Sequence, residues 1–293
     1  MRELAVTGFP VSICYPDERT GALIVGIPRL EPGLAGHYRR LLRPFAGDVP
    51  IRVTRCGLAR RHAAKKELNR PLVGGLWITT PIDSTHNELG SIGVCAMRGA
   101  QSGFVTAGHV AGAVNKLAYQ PRHSSVNDWK AGKTVKISTF TTSAHSDSGF
   151  LADETGGAIS RDRIWESKDT LYTVTGTAAP ARGETVHMQG AGRVDERSGL
   201  IRAAAATVTF DDGGVLQDQY LANYESHEGD SGAPVYVKDT GHAVRLVGLN
   251  VGATNPADVS PPVDQALYPP APNGTYAIIS KWHRIEADLG VTR

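Results

Sequence analysis

A histidine that follows a run of small residues is the first candidate for chemistry. Residues 104–109 have the sequence FVTAGH, so an apolar stretch typical of a strand ends in small residues and then His109. Small residues let the backbone turn tightly and leave the imidazole at the edge of a cleft, where it can act as a general base. A single histidine is more often structural, so this segment alone does not establish catalysis.

An aspartate follows 38 residues later, within the segment HSDSGFL of residues 145–151. Small and apolar residues come directly after Asp147, which predicts a carboxylate partly buried at the start of a strand. A buried carboxylate needs a hydrogen-bond donor, and an imidazolium would provide one. Taken alone, the segment is more typical of an aspartate in a turn.

The most specific segment is EGDSGAPV, residues 228–235, in which glycines flank an Asp-Ser pair before an apolar strand. Ser231 needs a base to become a nucleophile, and an imidazole supplies one. The N–H groups of Gly229 and Ser231 can converge on a developing oxyanion, at ~3–4 kcal/mol per donor. These residue types together predict a serine nucleophile with two donors for an anionic oxygen.

The three segments resemble the three motifs of the chymotrypsin (trypsin-like) serine protease family. The matching segments are TAGH at His109, SDSGFL at Asp147 and GDSGAP at Ser231, and the order His, Asp, Ser is that family's order. GDSG alone arises easily by chance, whereas three motifs in order, at gaps of 38 and 84 residues, do not. The resemblance covers about residues 72–293.

The resemblance implies a mainly β protein, with two six-stranded antiparallel barrels, the catalytic residues in the cleft between them, and a C-terminal helix. It implies a serine endopeptidase with Ser231 as nucleophile, His109 as base and Asp147 holding the imidazole. The N–H groups of Gly229 and Ser231 would form the oxyanion hole. Protein or peptide would be the substrate, and the chemistry needs no metal or organic cofactor.

The same resemblance suggests a substrate pocket. Glu225 precedes the nucleophile by six residues, and an acidic group there would favour Arg or Lys before the cut bond by charge pairing. Alternatively, Glu225 points into solvent or pairs with an arginine of the fold. Residues Asn250, Val251 and Gly252 resemble the strand that lines the pocket and pairs with the substrate backbone.

Asp230, directly before the nucleophile, has two possible partners by this resemblance. In members activated by cleavage it binds a new N-terminal amine, and LVGG of residues 72–75 resembles such a mature start. Pro71 makes cleavage there unsuitable for a trypsin-like enzyme. We therefore favour an internal arginine such as Arg193, as in bacterial relatives that need no activation.

The elements that must position these residues are mostly strands. Glycine (33 residues) and proline (17) favour a turn-rich β protein over a helical one. From residue 72, short apolar, β-branched runs recur about every ten residues, which indicates a sandwich or barrel. The predicted strands lie at residues 76–80, 91–97, 103–106, 134–140, 148–152, 170–175, 185–189, 201–210, 233–237 and 243–251. We place barrel 1 at about 72–165 and barrel 2 at about 166–278. A proline-rich loop at 254–273 and a helix at 277–289 complete this domain.

Residues 1–71 form a separate region. Apolar runs at 22–27 and 49–54 predict strands, and apolar residues between 34 and 45 lie on one helical face, so we expect a small strand–helix–strand unit. A basic linker or surface helix follows at 55–70. The region holds 13 Lys and Arg against 6 Asp and Glu. It could be a folding aid, an inhibitory flap or a module for a regulatory protein partner, and its dibasic pairs would suit self-cleavage.

Composition limits the remaining function classes. The formal net charge of +2 and the lack of a nucleic-acid motif argue against nucleic-acid binding, although the basic region could bind with strong salt dependence. Three scattered cysteines, no evident signal segment and no long apolar run predict a cytoplasmic protein without a membrane span. The alternative function is a protease-fold scaffold or partner-binding protein whose catalysis is latent or lost.

Overall fold

The computed structural model describes residues 13–17, 20–27, 32–55, 64–83, 86–121, 129–139, 144–167, 169–192, 195–211, 213–254, 271 and 275–293. The chain divides into two compact units, Met1–His62 and Ala63–Arg293. Residues 64–71 therefore group with the larger unit, and the predicted domain boundary after residue 71 stays a prediction. No helix among the described residues has the length and apolar character needed to cross a membrane.

The smaller unit is a three-stranded sheet with one helix. Its elements are β1 (Ile13–Asp17), β2 (Ala22–Ile27), α1 (Leu34–Ala46) and β3 (Ile51–Arg55). Strand β2 runs parallel to β3 across the helix, and β1 pairs with β2 in the antiparallel sense. Val25, Tyr38 and Leu42 form the core of this unit. The strand–helix–strand prediction is confirmed, with β1 as an additional strand.

The larger unit begins with a short 3-10 turn at Ala64–Lys66 and continues mainly as strands. The first sheet has the order β6-β5-β9-β10-β11-β8-β7. Its strands are β5 (Trp77–Pro81), β6 (Asn87–Ser91), β7 (Val94–Arg98), β8 (Gln101–Thr106), β9 (Leu117–Tyr119), β10 (Lys130–Ser138) and β11 (Ser148–Asp153), and the short helix α2 (Gly108–Ala111) follows β8.

The second sheet has the order β17-β14-β15-β16-β19-β18-β13-β12-β4, and β17 also pairs with β18, which closes six strands into a ring. Its strands are β4 (Leu72–Gly74), β12 (Ile159–Ser167), β13 (Thr170–Thr177), β14 (Thr185–Met188), β15 (Arg197–Thr209), β16 (Val215–Ala222), β17 (Pro234–Lys238), β18 (Ala243–Ala253) and β19 (Ala277–Lys281). Helix α3 (Trp282–Leu289) ends the unit. The predicted mainly β, double-barrel fold with a C-terminal helix is confirmed.

Several element predictions need correction. The helix predicted at 277–289 begins only at Trp282, because β19 occupies the first five positions and pairs with β16 and β18. All five β19 residues are buried, and periodicity cannot distinguish a fully buried strand from a buried helix. The single strand expected at 91–97 is two strands, β6 and β7. Strands β9, β12 and β16 were not predicted, and most of the expected 254–273 loop lies outside the described residues.

A half-buried glutamate connects strands of the second sheet. The Glu196 carboxylate accepts hydrogen bonds from the hydroxyls of Tyr172 and Tyr236 at 2.9 and 2.7 Å. It also contacts His187 Nδ1 at 2.9 Å and Lys238 Nζ at 2.7 Å. Burial alone would raise the pKa of Glu196, but these four partners together lower its pKa from 4.5 to about 2. The carboxylate thus joins β13, β14 and β17 next to the start of β15.

We expect Glu196→Gln to lower stability in a pH-dependent way. A carboxylate whose pKa falls on folding stabilises the protein above its unfolded pKa, and this contribution disappears as pH falls from about 4.5 toward 2. At pH 7 the loss should be about 1–2 kcal/mol, or about 2–8 °C in Tm. Thermal melts of the unmodified protein and of Glu196→Gln between pH 3 and 7 measure the difference in their Tm values. This difference should become smaller at the acid end of the range. Glu154→Gln, at an exposed glutamate, is the control, and a gap independent of pH would contradict the assignment.

Candidate active site

His109 lies in α2, one turn of helix that begins directly after β8 ends at Thr106. The residue before it must be glycine, because a Cβ on Gly108 would lie 2.6 Å from Asp147 Oδ1. The absence of a side chain at Gly108 lets the Asp147 carboxylate reach the backbone of the helix. The imidazole of His109 is 29% exposed, so one edge of the ring faces the surface of the larger unit.

The Asp147 carboxylate is fully buried and contacts His109 twice. Asp147 Oδ1 accepts the backbone N–H of His109 at 3.1 Å, and Asp147 Oδ2 lies 2.5 Å from His109 Nδ1. This pairing places the Nδ1 proton toward the carboxylate and leaves Nε2 as the basic nitrogen. Burial alone would lower the pKa of His109, but the charge and hydrogen bond of Asp147 outweigh it and raise the pKa above 6.5.

Asp147 itself is held by a chain of buried polar groups from the second sheet. Its backbone N–H donates to Ser280 Oγ at 3.1 Å, and the Ser280 hydroxyl donates to Gln219 Oε1 at 2.9 Å. Gln219 Nε2 in turn donates to the carbonyl of His145 at 2.9 Å. Strands β19 and β16 therefore fix the segment that carries Asp147 just before β11.

Ser231 lies in a tight turn packed against the end of β8. The next residue, Gly232, has φ +86°, and a Cβ there would overlap Thr106 Oγ1 and lie 2.8 Å from the N–H nitrogen of Ala107. The carbonyl of Ser231 accepts the N–H of Ser91 at 2.8 Å. The turn is thus pinned to β6 and to the segment that leads into His109.

The structure brings the Ser231 turn against the strand end that precedes His109. A catalytic triad would also need a hydrogen bond between the Ser231 hydroxyl and Nε2 of His109. In serine-type sites without a bound substrate this bond is often long or poorly aligned and tightens only in the complex. His109 and Asp147 are hydrogen-bonded to each other, whereas the complete triad with Ser231 stays a prediction.

Gly229 and Ser231 present two N–H groups on the same turn. Gly229 has φ +89°, a left-handed conformation that glycine adopts without strain. The Ser91 hydroxyl donates to the Gly229 carbonyl at 2.7 Å and accepts the N–H of Ala191 at 2.9 Å, which fixes the turn. Within the described residues, neither Gly229 nor Ser231 uses its N–H in a hydrogen bond. Both donors are therefore available to an anionic oxygen.

The predicted pocket residues have different surroundings. Glu225 is about a quarter exposed, and its Oε2 lies 3.5 Å from Nε2 of His227, so its partner is a histidine rather than an arginine. Asn250 is fully buried. Its Nδ2 donates to Ser226 Oγ at 2.8 Å and its Oδ1 accepts from Tyr224 at 3.1 Å. The Asn250 side chain thus braces the segment that carries Glu225.

Val251 and Gly252 follow Asn250 on β18. Val251 is buried in the core, and the register of β18 with β19 shifts between Asn250 and Gly252. A Cβ on Gly252 would lie 3.6 Å from the Phe210 ring, which is ordinary contact. The roles of Asn250, Val251 and Gly252 in substrate binding stay predictions.

Asp230 is also buried, with 1% of its surface exposed. Its Oδ1 accepts the N–H of Gly192 and its Oδ2 accepts the N–H of His227, both at 3.0 Å. The predicted partner Arg193 lies outside the described residues. Leu72 is a buried β4 residue whose N–H donates to the Ala158 carbonyl at 2.8 Å. In the intact chain, the stretch resembling a mature N-terminus is therefore part of a sheet.

Sequence reasoning did not find Ser91, Ser280 or Gln219. Each is a polar residue inside a strand, fully buried, and each holds a backbone group of the Ser231 or Asp147 segments. In the sequence, the only sign of such a residue is that it is polar at a strand position expected to be buried. The group that it contacts cannot be identified without the fold. In the described ranges, no group of three or more His, Cys, Asp or Glu side chains is arranged to hold a metal ion.

Comparison with known proteins gives the fold. No family model and no curated protein matches the sequence. Among solved structures, Thermobifida fusca protease A is similar with a TM-score of 0.55 and 20% identity, over 75% of this chain and 96% of that one. A glutamic acid specific serine protease matches with a TM-score of 0.57 and 18% identity, over 75% and 99% of the two chains. Nocardiopsis protease matches with a TM-score of 0.54 and 18% identity, over 75% of this chain and 96% of that one. The chain therefore has the double-barrel fold of the chymotrypsin-like serine proteases.

We expect Gly232→Ala to be much more destabilising than Gly213→Ala. Both glycines have nearly the same φ, +86° and +85°, so the cost of the left-handed backbone, about 1–2 kcal/mol, is shared. The methyl group that alanine adds at position 232 would overlap Thr106, whereas the one added at position 213 would have no atom within 4 Å. Overpacking should add about 1–3 kcal/mol to the free-energy loss. Urea unfolding measures both, and equal losses would contradict the close packing of the Ser231 turn.

Proposed function

We propose that the protein is a serine endopeptidase that works by acyl transfer at Ser231. The observation that carries this proposal is the pairing of a buried Asp147 with His109 beside the turn of Ser231. Within the described residues, two N–H groups of this turn make no hydrogen bond. A positioned base, a hydroxyl nucleophile and preorganised donors are the three requirements of this chemistry. The fold supports the same assignment, because its solved relatives are proteases.

In the proposed mechanism, Ser231 Oγ attacks the carbonyl carbon of a peptide bond while its proton moves to Nε2 of His109. Asp147 keeps Nε2 basic and stabilises the imidazolium that forms. The negative charge on the carbonyl oxygen is received by the N–H groups of Gly229 and Ser231. The C–N bond then breaks, His109 gives its proton to the leaving amine, and water hydrolyses the acyl-enzyme by the same steps in reverse.

Two further features belong to the same proposal. Residues 1–71 would control the protease, as an inhibitory flap or as a module for a regulatory protein partner, and a cytoplasmic location would suit its sparse cysteines. The Glu225 carboxylate would favour substrates with Arg or Lys before the cut bond, although Nε2 of His227 also lies 3.5 Å from Glu225 Oε2. Protein or peptide substrates follow from the endopeptidase assignment.

The alternative function is a protease-fold scaffold or partner-binding protein. Such a protein would keep the fold and the His109–Asp147 pair but would not activate Ser231. Reactivity of Ser231 therefore separates the two functions.

A fluorophosphonate probe tests the enzyme. The probe should label the protein at Ser231, and Ser231→Ala should abolish labelling. The rate should rise with pH through a midpoint above 6.5, because the base must be neutral and Asp147 raises the pKa of His109. Asp147→Asn should lower the rate by about 10⁴-fold and move the midpoint to lower pH. No labelling between pH 6 and 9, or labelling that survives Ser231→Ala, would support the scaffold.

Specificity is tested by profiling cleavage of a peptide library with the protein and with Glu225→Gln. The expected preference is for Arg or Lys before the cut bond, reduced at least ~10-fold in the variant, since a lost charge pair of this kind costs about 1.5–3 kcal/mol. Glu228→Gln is the matched control, because it removes an exposed carboxylate from the same loop. A preference for apolar or acidic residues would contradict the assignment, and one relative is itself described as glutamic acid specific.

A further inference from the structure

A cavity of about 660 Å³ lies beside helix α1 in the smaller unit. It is lined by three arginines of the helix and by two apolar residues: Arg39, Arg40, Arg43, Pro44 and Ile51. The arginines and Pro44 are exposed, whereas Ile51, at the start of β3, is half-buried and packs against the core of the unit. The cavity therefore combines a row of positive charges on the helix with apolar surface at Pro44 and Ile51.

The positive charge of the cavity is not balanced within the helix. Residues 34–46 include three arginines and no aspartate or glutamate. Arg43 lies four residues after Arg39 and three after Arg40, and like charges at these spacings destabilise a helix. Among the described residues, none of the three forms an ion pair, and Arg39 Nε donates to the carbonyl of Ile51 at 3.3 Å. An anionic ligand in the cavity would offset this repulsion.

The lining residues favour a peptide over a nucleic acid. A guanidinium group pairs in a bidentate way with carboxylates and phosphates, so the arginines alone suit either ligand. Single-stranded nucleic acid is held largely by bases that stack on aromatic rings. The five lining residues include no aromatic ring, and Tyr38 of the same helix is buried in the core. Pro44 and Ile51 instead suit an aliphatic side chain, which only a peptide supplies.

The spacing of the arginines fits a peptide in an extended conformation. Helix residues three or four positions apart have Cβ atoms about 5–6 Å apart. In an extended chain, alternate side chains point to the same side and are about 6.6 Å apart, which is twice the rise per residue. Acidic residues at alternate positions would therefore each reach one arginine. The residue between them would then be placed to contact Pro44 or Ile51.

We propose that the cavity beside α1 is a docking site for an acidic peptide segment of a partner protein. Arg40 and Arg43 would pair with acidic side chains at alternate positions, and Pro44 and Ile51 would contact an apolar residue between them. The inference rests on the proposed role of residues 1–71 as a module for a protein partner, and it defines the chemistry of that partner. Binding at this site does not require acyl transfer, so the two proposals can fail separately.

The test measures binding of the fluorescein-labelled peptide Glu-Leu-Glu-Leu-Glu to the full chain by fluorescence anisotropy. Every protein in the test also carries Ser231→Ala, so that the peptide is not cut and the result is independent of catalysis. Arg40→Gln and Arg43→Gln each remove one charge from the cavity. Arg52→Gln is the matched control, because it removes the same charge from the same unit at an exposed position of β3. Both strand neighbours of Arg52 pack against the core beneath α1, so Arg52 points to the opposite face of the sheet.

The chain with all its arginines should bind this peptide in a saturable way, and the uncharged peptide Gln-Leu-Gln-Leu-Gln should not bind. Arg40→Gln and Arg43→Gln should each weaken binding about 5–10-fold, since each removes one charged hydrogen-bonding pair. Arg52→Gln should change binding less than about 2-fold, because a charge on the far face of the sheet is largely screened. The double variant Arg40→Glu/Arg43→Glu should lose the acidic peptide and bind Lys-Leu-Lys-Leu-Lys instead.

The proposal is overturned if the acidic peptide does not saturate the chain below about 1 mM. It is also overturned if Arg52→Gln weakens binding as much as Arg40→Gln, because net charge alone would then explain the affinity. Tighter binding of an oligothymidylate of about 16 nucleotides, with the same dependence on Arg40 and Arg43, would make the cavity a nucleic-acid site instead.

The charge-reversed variant keeps the proposal testable where a single substitution disturbs α1. Binding of the lysine peptide by Arg40→Glu/Arg43→Glu would demonstrate an intact cavity with reversed preference. Circular dichroism of each variant measures its helix content. A charge-reversed variant that has normal helix content and still prefers the acidic peptide would contradict the assignment. Failure of the proposed enzyme function is recognised separately, because it is measured by the labelling of Ser231 and not by peptide binding.

Discussion

The burial of the Asp147 carboxylate is the constraint on which the candidate site depends. A charge removed from water must be met by donors, and here the donors are the backbone and the ring of His109. The same requirement explains Gly108, whose missing side chain leaves room for the carboxylate. Meeting the charge fixes the imidazole in one orientation, with Nδ1 inward and Nε2 outward. The geometry of a general base is thus a consequence of satisfying a buried acid.

The second barrel completes this arrangement. Ser280 on β19 and Gln219 on β16 hold the Asp147 segment. These strands belong to the second sheet, whereas His109 and Asp147 lie next to strands of the first sheet. Asp230 repeats the principle at the other end of the site, because it too is buried and accepts the N–H groups of Gly192 and His227. Two buried carboxylates therefore orient the two parts of the proposed machinery: Asp147 the base, and Asp230 the turn with the nucleophile and the oxyanion donors.

Sequence alone predicted the parts of this site that are local. The turns at His109 and Ser231 depend on small residues next to the functional side chain, and such patterns are legible in a few consecutive letters. Ser91, Ser280 and Lys65 could not be found in this way, because each acts on a residue more than a hundred positions away. Their function arises only when the strands pair.

The fold shows the same division between local and distant information. Strands with one polar face, such as β10 and β13, were predicted close to their observed positions. The predicted start of the last helix was wrong. Strand β19 is buried on both faces, and its apolar residues continue the helical spacing of the apolar residues in α3. Lys65 was assigned to a linker or surface helix, because its charge and its basic neighbours are typical of exposed chain. In the structure Lys65 is buried, and its Nζ donates to the carbonyl of Gly190.

The proposed acyl transfer requires a covalent intermediate on Ser231, which a pre-steady-state burst would reveal. Mixing the full chain with excess p-nitrophenyl acetate should release a rapid burst of p-nitrophenolate, with an amplitude near one per protein molecule, before slower turnover begins. Ser231→Ala should show no burst. If the unmodified protein gives no burst, or if the burst survives in Ser231→Ala, acyl transfer at this serine is contradicted.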